Sequence, residues 1–193
     1  MTARRPTVRD MDIDWSKELS EQLDWHWTRH LRPRLDTLTD DEYLWEPVED
    51  CWTIRPDENG AFTIDWAYPE PSPPPVTTIA WRLAHIVIGV FAMRNASHFG
   101  GPPADYQTFP YAGSAKEALE QLDDAYARWR DGVGGLTAED LARPCGEAEG
   151  PYAEYPLATL VLHINREAIH HGAEVLLLRD LYRSRPNGSR LAG

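Results

Sequence analysis

Four stretches of this chain repeat apolar residues at steps of three and four, a period that confines the fold to packed helices. In the first, about 15 to 38, Trp15, Leu19, Leu23, Trp27, Leu31, Leu35 and Leu38 fall on one face. Pro33 lies inside that pattern and predicts a kink or a split. The second, 77 to 97, is apolar nearly all round and is expected to be buried. Thr77 or Thr78 stands where its N-cap belongs, and Gly100, Gly101, Pro102 and Pro103 stop it. The third, about 115 to 131, opens on Ser114 with Glu117 three residues on, the pattern of a capping box. Gly132, Gly134 and Gly135 are read as its end. The fourth, about 156 to 183, carries HINREAIHHGAEVLLLRDLY.

Four long helices in a chain of 193 residues predict an all-α four-helix bundle forming one domain over residues 1–193, with a frayed tail from about 185 to 193. Thr39 or Asp40 can cap a short turn in LTDDEYLWEPVED, residues 46 to 76 read as a long connection with a stiff YPEPSPPPVTT segment, and LTAEDL is a short capped turn. EAEGPYAEYP reads as a loop or small hairpin. A helix of about 20 residues is ~30 Å long. The connection HFGGPPADYQTFPYAG, at ~3.3 Å per extended residue, is long enough to run back along such a helix. The second and third helices can therefore be parallel.

The formal net charge of -12 argues against a nucleic-acid partner, whose phosphates need a basic face, and against an anionic membrane surface. Cys51 and Cys145 have no CxxC spacing and read as ordinary reduced thiols of a cytoplasmic protein. MTARRPTVRDMDIDW lacks the apolar stretch of a signal peptide, and Arg82 and His85 interrupt the longest apolar run.

Polar residues inside these apolar helices carry the chemistry. His85 is surrounded by Leu83, Ala84, Ile86, Val87 and Ile88. A neutral imidazole there needs a partner for each ring nitrogen, either a metal with an oxygen acceptor or ordinary hydrogen bonds. On the last helix, Leu157, Leu160, Ile164, Ala168, Val175 and Leu178 set the inward stripe. His171 falls within it and Glu167, four residues earlier, at its edge. His163, His170 and Glu174 lie further round on the Glu167 side, the first and last as reserve ligands or supporting partners. His85, Glu167 and His171 would thus give a two-histidine, one-carboxylate metal site, and three protein ligands leave a coordination position open. Zinc is the default ion, and nickel or iron suit the same donors. His26 and His30 flank the first helix's stripe and read as pocket-edge or surface residues.

Together QLDWHW, LTDDEYLWEP, CWTIRP, TTIAWRLAHI and HINREAIHHGAEVLLLRDLY resemble the DinB-like superfamily over most of the chain. The resemblance implies a four-helix bundle with up-down-down-up connections, one metal-binding histidine on the second helix and two ligands four apart on the fourth. Many members use three histidines; with Glu167 in place of the first on the fourth helix, this chain resembles the mycothiol-dependent maleylpyruvate isomerases. On that match His85, Glu167 and His171 are the metal ligands, and no catalytic base carries over.

The expected function is a metal-dependent transferase or isomerase acting with a low-molecular-weight thiol such as mycothiol. Trp27, Trp52 and Trp81 would wall the site, and Arg82, Arg94 and Arg166 are candidates to hold substrate carboxylates. A metal-dependent hydrolase, with Glu174 or His163 as base, and a non-catalytic ligand-binding or structural bundle are the alternatives. The expected partner is a small-molecule substrate, without nucleic acid or membrane, and a homodimer is an assembly open to such a bundle.

Overall fold

The computed structural model describes residues 13–69 and 71–185, so the predicted tail beyond 185 and the opening residues lie outside the described part. The described chain is mostly helical, with a single two-stranded sheet. Helix α1 starts as Trp15–His26, capped by Asp14, whose side chain accepts from Lys17 N. It widens to a π-helix over Trp27–Leu31 and returns to α geometry in Arg32–Leu35. The widened turn lies directly ahead of Pro33, with Arg32 N–H reaching back to Trp27 O. A wider turn makes room for a proline ring and its missing N–H, so the expected split takes the form of a change of register. Leu38 lies beyond the helix but still packs against the core.

Helix α2 (Asp40–Tyr43) is capped by Thr39. The connection that follows contains a hairpin that the sequence reading took as irregular: β1 (Ile54–Pro56) pairs antiparallel with β2 (Phe62–Ile64), Ile54 opposite Ile64. Its turn carries Asn59 and Gly60, the latter at φ 82°, a left-handed position that suits glycine. The hairpin is tied to the start of α3 by a Thr78–Thr53 hydroxyl contact of 2.9 Å and by the bridge between Trp52 and Thr77.

Helix α3 comprises Ile79–His85, a π-helical Ile86–Ala92 and Met93–His98, with Thr78 as its N-cap. As its composition requires, its residues are largely buried. Helix α4 (Ala115–Gly134) is capped by Ser114, which accepts from Glu117 N and donates to Glu117 Oε2. The Glu117 side chain thus bonds the serine hydroxyl, whereas a full capping box would place it on the Ser114 N–H. Gly132 does not end α4, contrary to the sequence reading. It sits inside the helix because the Phe99 ring packs against it: a Cβ there would lie 2.4 Å from Phe99 Cγ. Helix α5 (Ala138–Ala142) has a complete Thr137–Asp140 capping box. EAEGPYAEYP, expected as a loop or small hairpin, holds a short 3-10 segment, Glu147–Tyr152, broken at Gly150, inside a loop closed by an antiparallel bridge between Pro144 and Pro156. Helix α6 (Leu157–Ser184) is the last element among the described residues.

The four long helices form a ring in which α1 and α3 each pack against both α4 and α6. The contacts set their relative order. Asn165 of α6 bonds Leu19 O, near the start of α1, and Arg34, near its end, bonds Asp180. Arg32 of α1 grips Asp123 of α4 through two nitrogens; Asn95, in the last turn of α3, bonds Ala125 O in the middle of α4, and Phe99, just beyond α3, packs on Gly132 in the last turn of α4. At the ring's centre Trp27 stacks on Tyr126 with centroids 3.7 Å apart, and Phe91 crosses Trp27 edge-on.

Arg179 of α6 and Glu42 of α2 form a buried ion pair, Nε–Oε1 2.7 Å and Nη2–Oε2 3.0 Å, with side chains 1% and 3% exposed. Such a pair is costly to break from one side, since the remaining charge stays in low dielectric. Arg179→Met is expected to lower unfolding stability by about 3 kcal/mol in urea titrations. The double change Arg179→Met with Glu42→Leu should recover a large part of that loss. Equal losses in single and double variants would show that the pair is not the source.

Candidate metal centre

His85 ends the first α segment of α3, and the π-helical turns begin at the next residue. Trp81, one helical turn earlier, stacks on the imidazole with centroids 5.2 Å and planes 13° apart. The hairpin fixes that indole, because Trp81 Nε1 donates to Asp65 O at 2.8 Å. Trp52 tilts against Trp81 at 5.8 Å, so two of the three expected tryptophans gather on this side of His85. Trp27 is not part of this wall; it is 5% exposed and spent on the core stack with Tyr126.

On its other side, His85 Nδ1 lies 2.9 Å from the Tyr106 hydroxyl. Gly89 makes that approach feasible, since a Cβ there would lie 2.1 Å from the hydroxyl oxygen and 3.1 Å from His85 Nδ1. Burial drives the His85 pKa down to about 3, and the charges of His171, Arg82 and Arg94 push the same way. The ring is therefore neutral near pH 7, the form in which an imidazole ligates. Burial pushes the Tyr106 phenol up to about 12, against a smaller opposing effect of Arg94, so it keeps its proton.

Helix α6 supplies the facing side chains. His171 is buried, in phase with the buried residues Leu157, Leu160, Ile164, Ala168 and Val175. Its ring meets that of His85 edge-on, centroids 4.7 Å and planes 86° apart. His171 Nδ1 lies 2.7 Å from Glu174 Oε2 and 3.3 Å from Arg82 Nη1, while Arg82 Nε sits 3.0 Å from the same carboxylate oxygen. His171 Nε2 is 3.5 Å from Glu167 Oε2. The other Glu167 oxygen is 3.6 Å from both His163 Nδ1 and Arg166 Nε. His170 points outward, with Nε2 3.5 Å from Glu174 Oε1.

Glu167 and His171 are thus neighbours on one face of α6, and His171 meets His85 across the helix pair. Among the described residues, the group whose three ligand atoms lie within 4.8 Å of one another is His170, His171 and Glu174. Arg82, considered as a substrate anchor, is engaged with Glu174 of the protein itself. His26 is half-buried and His30 exposed, their rings stacked 5.9 Å apart on α1. Cys51 and Cys145 are free thiols, and burial raises both above the usual range.

Two residues of the site were missed from sequence. Tyr106 lies in an irregular connection where no periodicity marks it. Gly89 did carry a signal, since an isolated glycine inside an apolar helix usually has a packing reason. Gly to Ala within a helix ordinarily stabilises by roughly 0.5–1 kcal/mol. Gly89→Ala is expected to do the reverse, destabilising by about 1–3 kcal/mol as overpacking does. Thermal melts beside Tyr106→Phe check this: a Gly89→Ala protein that melts at or above the parent temperature contradicts the assigned contact.

No helix among the described residues is long and apolar enough to cross a membrane. No curated protein and no solved structure matches the chain. The family model of the DinB superfamily matches residues 22–175. That span contains His85, Tyr106, Glu167, His171 and Glu174, and the chain belongs to the DinB superfamily.

Proposed function

We propose that the protein is a divalent-metal enzyme in which His85, Glu167 and His171 hold the ion, and that it acts as a transferase or isomerase with a low-molecular-weight thiol. The observation that carries this reading is how the ring nitrogens are used. His171 Nδ1 is taken by Glu174, and His85 Nδ1 by Tyr106. Both rings then have Nε2 left for ligation, and an acceptor behind a ligating imidazole is the usual arrangement in metal sites. The nearby Glu167 oxygen completes two histidines and one carboxylate. The alternative group of His170, His171 and Glu174 would use the carboxylate that orients His171 and would leave out the neutral, half-buried His85.

Up-down-down-up connections are part of the same reading. They are supported by the packing of Phe99, at the end of α3, on Gly132 in the last turn of α4, and by the matched ends of α1 and α6.

The chemistry a bound divalent ion supplies here is Lewis acidity, which lowers the pKa of a thiol so that a thiolate is available near neutral pH. The protein's own residues do the positioning. Glu174 and Arg82 fix the His171 ring, Trp81 and Tyr106 fix His85, and the Trp52–Trp81 pair excludes water from one side. Zinc is the expected ion, with nickel and iron fitting the same donors.

Natively purified protein should contain about one divalent ion per chain by elemental analysis. His85→Ala and His171→Ala should lose it while retaining helical circular dichroism, and His170→Ala should keep it. Added zinc at about 100 times its dissociation constant should stabilise the chelated protein by about 2.7 kcal/mol. Parent protein without metal and without a zinc-dependent melting shift would remove the reading. Loss in His170→Ala with retention in His85→Ala would move the site to the outer group. Metal-loaded protein should also consume a thiol and an electrophilic substrate together, and chelation should stop it; hydrolysis of esters or amides without a thiol would instead favour a hydrolase.

A further inference from the structure

A cavity of about 440 Å³ opens beside Glu167, between α3, α6 and the segment that joins α5 to α6. Its lining includes Arg94, His163 and Arg166, together with Leu160, Tyr152 and Tyr155. Its size is that of a pocket for a small organic molecule. His163 and Arg166 each approach Glu167 Oε1 at 3.6 Å, so the cavity begins at the edge of the metal centre.

The charge of this cavity departs from that of the protein. In a chain of net charge -12 the lining has two guanidiniums against one carboxylate, Glu149. Glu149 is held more closely by His98, at 2.9 Å, than by Arg94, at 3.3 Å. Arg94 is itself fixed by donating to Gly89 O at 3.0 Å, and its Nε has no hydrogen-bond partner among the described residues. Arg166 donates to His163 Nδ1 at 2.8 Å and is largely exposed at the mouth. Glu149 already faces Arg94 and Glu167 faces Arg166, so the donors left over, the Arg94 Nε and the exposed Arg166 head, match a monoanion better than a doubly charged phosphate. Most of the remaining wall is apolar or aromatic: Tyr152 and Tyr155 stand edge to face at 5.9 Å and are 65% and 51% exposed. Exposed aromatic surface beside a concavity marks a place where apolar ligand surface is covered.

We propose that this cavity binds a carboxylate-bearing small molecule with a flat apolar body, its carboxylate held by Arg94 and Arg166 and its body covered by Tyr152 and Tyr155. The assignment of that molecule as the substrate rests on the proposed metal centre next door; its binding does not.

The test is calorimetric titration of chelator-treated full-length protein with cinnamate and with cinnamamide, which share shape and differ in charge. Cinnamate should bind and cinnamamide should bind roughly tenfold more weakly or worse, the loss expected for a charged hydrogen-bonded contact. Arg166→Gln and Arg94→Gln should each weaken cinnamate roughly tenfold without changing cinnamamide. Ala148→Trp, which fills the cavity from its wall, should abolish both. Arg166 is exposed, so its variant keeps the test valid even if Arg94→Gln fails to fold. Equal binding of acid and amide, no binding of either, or cinnamate binding indifferent to Arg166→Gln and Ala148→Trp would overturn the proposal. Because the metal is removed throughout, failure here is separate from failure of the metal centre, which metal content alone decides.

Discussion

The edge-on meeting of His85 and His171, ring centroids 4.7 Å apart, is the constraint around which the rest of this molecule is arranged. Each ring projects from an otherwise apolar helix, where an unpaired polar group costs roughly 1–3 kcal/mol. Neither is left so. Tyr106 satisfies His85, and the Glu174–Arg82 pair satisfies His171. Those partners come from α3, α6 and an irregular connection, so the cluster sets the register of two long helices and the path of a loop at once. An apolar pair in the same place would pack more simply, and the proposed metal centre gives the polar cluster a purpose.

Supporting elements line up behind it. The π-helical stretch of α3 begins directly after His85 and includes Gly89, where the Tyr106 hydroxyl enters. Widened helical turns of this kind are frequent at functional sites. The small hairpin, remote in sequence, anchors Trp81 through the Asp65 carbonyl and so holds the indole that stacks on His85. At the far end of α6, the buried Arg179–Glu42 pair pins the helix that carries Glu167, His171 and Glu174. Rigid support of this sort would hold these side chains in the geometry the proposed metal centre needs.

The helices were legible because their apolar period is strong and their caps are explicit: Thr78, Ser114 and Thr137 all cap where the sequence placed an N-terminus. The phase of the last helix likewise put His171 among its buried residues. What escaped was tertiary. Gly132 looked like a helix end because glycine is a poor helix former, yet packing of Phe99 overrides that weak preference. The hairpin was hidden in three-residue strands too short for an alternating pattern, although Asn59-Gly60 marked its turn. Trp27 was read as a site wall because an aromatic on an inward face suits either a pocket or a core, and only the Tyr126 stack decides. Tyr106 reaches His85 from 21 residues away through a connection without periodicity, which local pattern does not reveal.

The most direct test of the account is the position of the ion itself. A crystal of the protein soaked in zinc, with diffraction recorded on both sides of the zinc absorption edge, would show where anomalous scattering arises. The account predicts one strong peak between His85, Glu167 and His171, within about 2.0–2.2 Å of both Nε2 atoms and a Glu167 oxygen. A peak on the outer face at His170 and Glu174, or none under conditions that saturate the protein in solution, would contradict it.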